Sequence, residues 1–241
     1  MQAEHYNGLI AVWKEQGYTS HDVVAKLRGI LHQKKIGHTG TLDPQAEGVL
    51  AVGLGLGTKT FDLLPDHWKT YEAEVTFGVQ TDTEDIWGTI LNTHDVFKTP
   101  EEITQAICSF EETYDQVPPM YSAKKIDGKK LYQLAREGKI VERKAVPVTL
   151  KDIQVLSVKD NKARFIVTCS AGTYIRTLCV DIGKKLGCEA CMSSLTRVMA
   201  GGFSKEQALT LEKIKELADK NELESRLISI DTALGHFPKV I

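Results

Sequence analysis

The chain lacks a long hydrophobic run. In its 241 residues no apolar stretch approaches the roughly 18 residues that a membrane-spanning helix needs. Residues 1–7 are polar and are followed by only a short apolar stretch, so we expect neither a signal peptide nor a transit peptide. The sequence therefore predicts a cytoplasmic protein that has no membrane partner.

Cysteine is sparse as well. The five cysteines are scattered through the later part of the chain and do not form a disulfide framework. Cys188 and Cys191 make a lone CxxC, but a structural zinc needs two more ligands, and the nearest histidine, His236, is remote in sequence. A redox pair would need a thioredoxin-like context, which is missing. We interpret both cysteines as small core residues and expect no metal.

The sequence also lacks a phosphate-binding loop. The glycine run at residues 53–60 has Thr58 where a Walker loop requires glycine before the lysine. The dinucleotide-binding fingerprint fails at the same residue. We interpret these glycines as allowing close packing before a helix that starts near Thr58, and we expect no cofactor.

A basic excess is absent from the chain as a whole, whose net charge is −2. Nucleic-acid binders are usually basic. The charge is uneven, however, because residues 120–145 carry eight lysines and arginines against three acids. Two interpretations of this segment stay open, namely a face that binds a phosphate backbone and a solvated, lysine-rich helix surface.

Apolar residues recur with both strand and helix periods. The pattern predicts strands at 8–12, 71–77, 153–158 and 163–168, and helices at 20–31, 100–110, 129–137, 173–186, 210–218 and 222–234. Ser20 is the expected N-cap of the first helix. Because strands and helices do not alternate regularly, we predict an α+β fold. No repeat or linker divides the chain, so we expect one domain over 1–241 with an excursion at about 114–149.

Residues 35–48 have no sustained periodicity and are interpreted as a loop. Within it Asp43 precedes Pro44, and three glycines allow a backbone to approach a ligand closely. Taken alone, an Asp-Pro pair in a loop is usually only a turn.

Read with other segments, this loop resembles the catalytic motif of the TruB family of tRNA pseudouridine synthases. The resemblance covers nearly the whole chain in the family's order, through residues 8–12, 19–24, 69–71, 77–85, 116–123, 128–132, 172–178 and 195–197. It implies a mixed, largely antiparallel sheet flanked by helices, with an RNA-contacting insertion. It further implies a cofactor-free isomerase that converts the uridine at tRNA position 55 to pseudouridine, with the tRNA T-arm as its partner.

The resemblance implies roles for particular residues. Asp43 matches the catalytic aspartate, and Arg176 matches an arginine paired with it. Tyr71, which we group with the catalytic residues, and Tyr174 match aromatic residues around the extruded uracil. The other residues expected to contact substrate or RNA are His38, which packs into the T-loop, Leu195, which touches the uracil, and the cations Lys124, Lys129, Lys130 and Arg197.

These residue types suit the chemistry on their own terms. Pseudouridine formation breaks the C1′–N1 bond, turns the uracil and rejoins it through C5, so it needs an ionised carboxylate but no redox partner. Burial alone would raise the pKa of such a carboxyl, and a facing guanidinium opposes that shift. Aromatic faces pack on a planar base. Without the family resemblance, each tyrosine would be interpreted as core, Arg176 as a surface cation and His38 as a satisfied loop residue.

Two features depart from the family pattern. The family usually has an arginine shortly before the strand that closes the insertion, where this chain has Ala145. The Lys124-Lys125 pair of this chain also differs slightly from the residues that the family usually has there. Many bacterial members continue into a small C-terminal RNA-binding domain (PUA-like), whereas this sequence ends at residues 236–241. We therefore expect that domain to be absent and the affinity for tRNA to be lower than in longer relatives.

Other functions remain as alternatives at this point. The chain could be a non-catalytic module that binds or folds RNA, or an enzyme of the same family that acts on other RNA within a guide-RNA complex. The second alternative normally brings partner-docking extensions, and none is apparent. We expect a monomer with no obligatory protein partner. The choice between nucleophilic addition by Asp43 and a route begun by removal of a ribose proton stays open.

Overall fold

A computed structural model describes residues 6–63, 68–126 and 128–235. The terminal segments used above, residues 1–5 and 236–241, lie outside the described residues. The strands are β1 (Gly8–Lys14), β2 (Ile36–Thr39), β3 (Glu47–Leu54), β4 (Lys69–Phe77), β5 (Val79–Thr81), β6 (Ile90–Thr93), β7 (Glu112–Gln116), β8 (Lys125–Ile126), β9 (Lys129–Lys130), β10 (Val146–Lys159), β11 (Lys162–Cys169), β12 (Ala190–Ala200) and β13 (Phe203–Ser204). The helices are α1 (Ser20–Ile30), α2 (Pro100–Cys108), α3 (Leu131–Arg136), α4 (Ile175–Leu186), α5 (Leu211–Asp219) and α6 (Ile230–Ala233).

The chain divides into two compact units. The first contains Met1–Thr70 and Thr196–Ile241, and the second contains Tyr71–Leu195. In the first unit β1 runs antiparallel to β3, from Gly8 opposite Leu54 to Lys14 opposite Gly48. The other edge of β3 is shared by β2, which is antiparallel, and by the end of β12, which is parallel. The segment that links β2 to β3 carries Asp43.

The core of the first unit lies on both faces of this small sheet. Alternation along β1 sends Ile10 and Val12 to one face, where α1 and α5 cover them, and Leu9 and Ala11 to the other, where Phe203 packs. The N-cap of helix α1 lies one residue earlier than the expected Ser20. Its N-cap is Thr19, whose hydroxyl accepts from the Asp22 amide at 3.0 Å.

The prediction of one continuous helix over residues 222–234 is wrong for the middle of that range. A 3₁₀ turn covers Leu223–Arg226 and α6 covers Ile230–Ala233. Between them, Ile228 and Leu9 exchange two backbone hydrogen bonds of 2.9 Å, so pairing with β1 overrides the local helical pattern. The glycine run likewise forms a 3₁₀ turn, Gly55–Lys59, instead of starting a longer helix.

In the second unit the strand order is β12, β4, β11, β10 and β7. The pairs of β10 with β11 and with β7 are antiparallel. Helix α2 contacts β10 and α4. Buried residues such as Ile107, Phe165 and Leu178 form the core of the second unit. The predicted α+β class with a mostly antiparallel sheet is confirmed.

The expected excursion leaves this sheet between two paired strand ends. Gln116 of β7 lies opposite Val146 of β10. The chain between them forms the β8–β9 hairpin, in which Lys125 pairs with Lys130, and then helix α3. We call residues 117–145 the insertion.

Candidate active site

Asp43 sits in a segment that is held on both sides. On its N-terminal side the Ser20 hydroxyl accepts from the Leu42 amide at 3.0 Å and donates to the Leu42 carbonyl at 3.3 Å. On its C-terminal side the Gly17 amide donates to the Pro44 carbonyl at 2.8 Å. The Asp43 side chain is half-buried. The backbone around this carboxylate is therefore fixed by groups distant in sequence.

The buried Lys14 side chain contacts the same segment. Its side chain is fully buried, and its ammonium donates to the carbonyls of Tyr18 at 2.6 Å, Glu15 at 3.1 Å and Pro44 at 3.2 Å. Burial lowers the pKa of Lys14 to about 8, and the negative charge of Asp43 opposes this shift. A buried cation is thus electrostatically coupled to the predicted catalytic carboxylate.

Arg197 lies inside the first unit. It is 0% exposed, and it donates from Nε to the Val49 carbonyl at 2.7 Å and from Nη2 to the Gly40 carbonyl at 2.8 Å. The sequence predicts Arg197 as an RNA contact, whereas both of these hydrogen bonds go to the protein backbone.

His38 stands at the end region of β2, before the Asp43 segment. Its ring meets that of His21 edge to face, with centroids 5.6 Å apart. Burial lowers the pKa of His38, and the charges of His21 and Arg197 lower it further. A neutral imidazole is suited to packing among bases, which is the role that the family resemblance implies.

In the second unit Arg176 is nearly buried at the start of α4. It donates from Nη1 to the Thr83 carbonyl and from Nη2 to the Tyr121 carbonyl, both at 2.8 Å. Its Nε lies 3.9 Å from the Asp85 carboxylate. The guanidinium is therefore oriented by the turn at 81–88 and by the insertion. The interpretation of Arg176 as a surface cation does not fit this burial.

The turn at 81–88 contains functional candidates that the sequence prediction did not assign. Glu84 has a positive φ of 67°, and its carboxylate accepts from the Thr177 hydroxyl at 2.7 Å. Burial raises the pKa of Glu84, and the hydrogen bond from Thr177 opposes the shift. The signal was available, since the string TDTED belongs to the motif that carried the resemblance, but roles for Glu84 and Asp85 were not inferred.

The predicted uracil-contacting residues of this unit lie on two strands and directly before a helix. Tyr71 in β4 and Leu195 in β12 are each 7% exposed, and Tyr174 is half-buried directly before α4. The buried Gln116 side chain accepts from the Tyr174 amide at 2.8 Å and donates to the Tyr174 carbonyl at 3.1 Å. Gln116 thus fixes the backbone of Tyr174, a role that its position in the sequence did not reveal.

The predicted RNA-binding lysines lie on and beside the β8–β9 hairpin. Lys129 is exposed, whereas Lys124 and Lys130 are half-buried. The Lys130 ammonium lies 5.6 Å from the centre of the Tyr132 ring. Cations on a hairpin, one of them beside an aromatic ring of the following helix, suit contact with a nucleic-acid backbone and its bases.

The described residues contain neither a metal centre nor a membrane-spanning helix. No cluster of three or more histidine, cysteine or acidic side chains there is placed to hold a metal ion. Cys191 is buried and Cys188 half-buried, and both are free thiols. No described helix has the length and apolar character needed to cross a membrane.

Comparison with known proteins connects this fold and site to a family. The model of the TruB family pseudouridylate synthase N-terminal domain matches residues 28–175, and that of the tRNA pseudouridylate synthase B C-terminal domain matches residues 176–235. The chain is 48% identical over 235 residues to tRNA pseudouridine synthase B of Alkaliphilus oremlandii (strain OhILAs), covering 98% of this chain and 78% of that protein. It is 47% identical over 243 residues to tRNA pseudouridine synthase B of Staphylococcus aureus (strain Newman), covering 98% and 80%.

The fold is shared with a solved structure. In the crystal structure of a Cbf5-Nop10-Gar1 complex, the matching chain is 30% identical with a TM-score of 0.75, over 96% of this chain and 62% of that chain. Fold and site together define a pseudouridine synthase, an RNA-modifying isomerase. Within that class, the chain belongs to the TruB family.

Proposed function

We propose that this enzyme isomerises the T-loop uridine at position 55 of tRNA and that Asp43 is the carboxylate that acts on the nucleoside. The observation that carries the proposal is the fixing of the Asp43 segment by Ser20, Lys14 and Arg197. A group that must meet a reacting atom benefits from such preorganisation, because a misplacement of about 1 Å can cost about 100-fold in rate.

The choice of substrate is supported by the relatives and by the insertion. Relatives at 48% and 47% identity are named tRNA pseudouridine synthase B. The insertion presents lysines on a hairpin, and such cations are suited to the phosphates of a folded RNA arm. A uridine in a loop can be extruded at a cost of a few kcal/mol, which is less than for a base within a duplex.

The chemistry requires a carboxylate that is ionised at neutral pH. In one route Asp43 adds to the nucleoside and releases uracil at C1′. In the other it removes a ribose proton and the C1′–N1 bond then breaks. When C1′ joins C5, the bond to Asp43 breaks in the first route, and the removed proton returns to the ribose in the second. The proton of C5 then departs and N1 takes up a proton, so atoms balance without a cofactor. We propose Arg176 as the cation that favours the ionised form of Asp43.

The aromatic residues would hold the detached uracil. Tyr71 and Tyr174 offer ring faces for a planar base, and Leu195 offers an apolar edge. The phenol of Tyr71 is the group that we propose to meet the proton at C5. Its burial and the anchoring of Tyr174 by Gln116 support a pocket of defined shape.

The experiment that tests this function is tritium release from a tRNA transcript labelled at uridine C5. Wild-type protein should release one tritium per tRNA, and a transcript with cytidine at position 55 should release none from the T-loop. The Asp43→Asn variant should bind the tRNA but release no tritium. Asp219→Asn, which changes an exposed carboxylate on α5, should behave as wild type.

Two results would overturn the proposal in different ways. If wild-type protein at stoichiometric concentration binds tRNA without releasing tritium, the chain is an RNA-binding module on this substrate. If Asp43→Asn releases tritium at the wild-type rate, another group carries out the reaction.

A further inference from the structure

We infer that Arg197 is a positioning residue, whose buried guanidinium fixes both ends of segment 40–49 and thereby the place of Asp43, without contacting the RNA. The inference rests on the proposed function, because it concerns the same carboxylate. It assigns to Arg197 a different role from the RNA contact that the sequence predicts.

The first reason is the geometry of the two hydrogen bonds. Nη2 donates to the Gly40 carbonyl at 2.8 Å and Nε donates to the Val49 carbonyl at 2.7 Å. Gly40 precedes Asp43 in the chain and Val49 follows it, so one planar group spans the whole segment. Because the guanidinium is rigid, it sets the separation of the two carbonyls in a way that a flexible ammonium cannot.

The second reason is that the backbone of Arg197 is itself held against the segment. Arg197 pairs with Gly48 where β12 runs parallel to β3. Gly48 has a φ of +121°, and a Cβ built there would lie 2.2 Å from the Arg197 carbonyl oxygen. This close approach is open only to glycine. The backbone that carries the guanidinium is therefore fixed on the neighbouring strand.

The third reason is burial. Arg197 is 0% exposed, whereas a side chain that neutralises a phosphate must reach the surface, as the exposed Lys129 does. The charge of Arg197 acts within the segment instead, since it lowers the pKa values of Lys14 and His38. Both residues precede the Asp43 segment in sequence.

The third guanidinium nitrogen, Nη1, suggests an alternative role for Arg197, namely binding of an RNA phosphate. Nη1 is buried and has no hydrogen-bond partner among the described residues. A buried unpaired N–H is unfavourable. If an RNA phosphate opened the structure and reached Nη1, Arg197 would contribute to tRNA affinity. Positioning and phosphate binding therefore predict changes in different measured quantities.

The test compares Arg197→Lys and Arg197→Ala with wild-type protein. For a positioning residue, kcat for tritium release should fall about 100-fold, while the Kd for tRNA stays within about twofold. The slope of log Kd against log salt concentration should not change. Ethylguanidinium at millimolar concentration should partly restore the rate of Arg197→Ala, whereas ethylammonium should not, because only the former can bridge the two carbonyls.

Two further variants calibrate the measurement. Lys129→Met removes an exposed cation of the insertion, and it should reduce the salt slope by about 0.7 to 0.9 if it loses one phosphate contact. Lys215→Met removes an exposed cation on α5 and should leave rate, Kd and slope unchanged.

Several results would overturn the inference. A weaker Kd with a reduced salt slope in the Arg197 variants would identify a phosphate contact, and an unchanged kcat would exclude positioning. Loss of folding in both variants, seen as loss of a cooperative thermal transition, would make Arg197 a core stabiliser only. If wild-type protein releases no tritium, the proposed function itself fails, which the wild-type assay alone reveals.

Discussion

Ser20 and Leu42 exchange two hydrogen bonds in the interior of the first unit. The Leu42 amide donates to the Ser20 hydroxyl at 3.0 Å, and the hydroxyl donates to the Leu42 carbonyl at 3.3 Å. Ser20 is 1% exposed and Leu42 3% exposed. A single hydroxyl at the start of α1 thus satisfies both backbone groups of the residue that precedes Asp43.

Replacement of Ser20 by alanine should therefore affect stability and catalysis together. Both backbone groups of Leu42 would lose their partner in a buried place, which should lower the free energy of unfolding by about 1–3 kcal/mol. The freed backbone should also lower kcat with little change in tRNA affinity. Urea unfolding and the tritium assay measure the two effects. Ser225→Ala, at an exposed position, is the matched control, and equal behaviour of the two variants would contradict the prediction.

Lys14 should make stability depend on alkaline pH. Its folded pKa is lowered to about 8 from 10.5, so between these values the unfolded chain binds more protons than the folded one. Stability should therefore rise as pH increases from 8 to 10.5, by at most about 1.4 kcal/mol per pH unit from this residue. Below pH 8 this gain in stability is absent, because the ammonium is charged in both states and its burial in the folded state is unfavourable.

The comparison that isolates Lys14 is Lys14→Met. Urea unfolding of both proteins between pH 7 and pH 10.5 should show the additional rise in wild-type protein only. Parallel curves would mean that the buried ammonium keeps its ordinary pKa. The Met variant should also have a lower kcat, because the Pro44 carbonyl beside Asp43 loses one of its two donors and keeps only the Gly17 amide.

The strands and helices with strong periodicity were predicted correctly from the sequence. Strand β1 and helix α4 lie where they were expected, and Gly187 ends α4 with a φ of 73°. The loop predicted at 35–48 was only partly correct. Its first part forms β2, whose partner β3 cannot be identified from so short a pattern. The first half of β10 was missed because only its pairing with β7 makes Val146 and its neighbours a strand.

In the site as well, residues within a sequence motif could be predicted, whereas residues placed by tertiary contacts could not. Asp43 was predicted from its motif, but the hydroxyl that holds its loop was assigned to helix capping, one residue away from the true cap Thr19. The burial of Lys14 and Arg197 could not be predicted, because cations are exposed by default and only tertiary contacts reveal the carbonyls that accept from them. Family resemblance identifies Arg197 without showing how it acts, and it does not identify Lys14.

Glu84 should give the second unit the opposite pH dependence. Burial raises its pKa above the ordinary value of 4.5, so in the window above 4.5 the folded state binds more protons than the unfolded state. Stability from this residue is complete below pH 4.5 and is lost as pH rises through the folded pKa. Glu84→Gln keeps an acceptor for Thr177 without the charge.

The expected result is a stability advantage of Glu84→Gln over wild-type protein that grows from pH 4 to pH 8. Thermal unfolding across that range measures it. Glu101→Gln, which changes an exposed acid of α2, should show no such trend. An advantage that is constant with pH would mean that the pKa of Glu84 is the same in the folded and unfolded states.

The insertion lysines should contribute to tRNA binding through salt-sensitive contacts. Lys124, Lys129 and Lys130 share the hairpin region. Of these three, Lys129 is exposed and the other two are half-buried. Each lysine that neutralises one phosphate releases counterions, so its change to methionine should reduce the salt slope by about 0.7 to 0.9 and weaken tRNA binding at low salt. Filter binding of tRNA at a series of salt concentrations measures both quantities.

This prediction also separates affinity from catalysis. At saturating tRNA the three lysine variants should keep a kcat near that of wild-type protein, since their effect is on the bound phosphates and not on Asp43. The exposed Lys129 should give the clearest change in slope, because its side chain is the most accessible of the three. If the slopes are unchanged in all three variants while kcat falls, the hairpin acts on the reaction by ordering the site, and the phosphates must be bound by other residues.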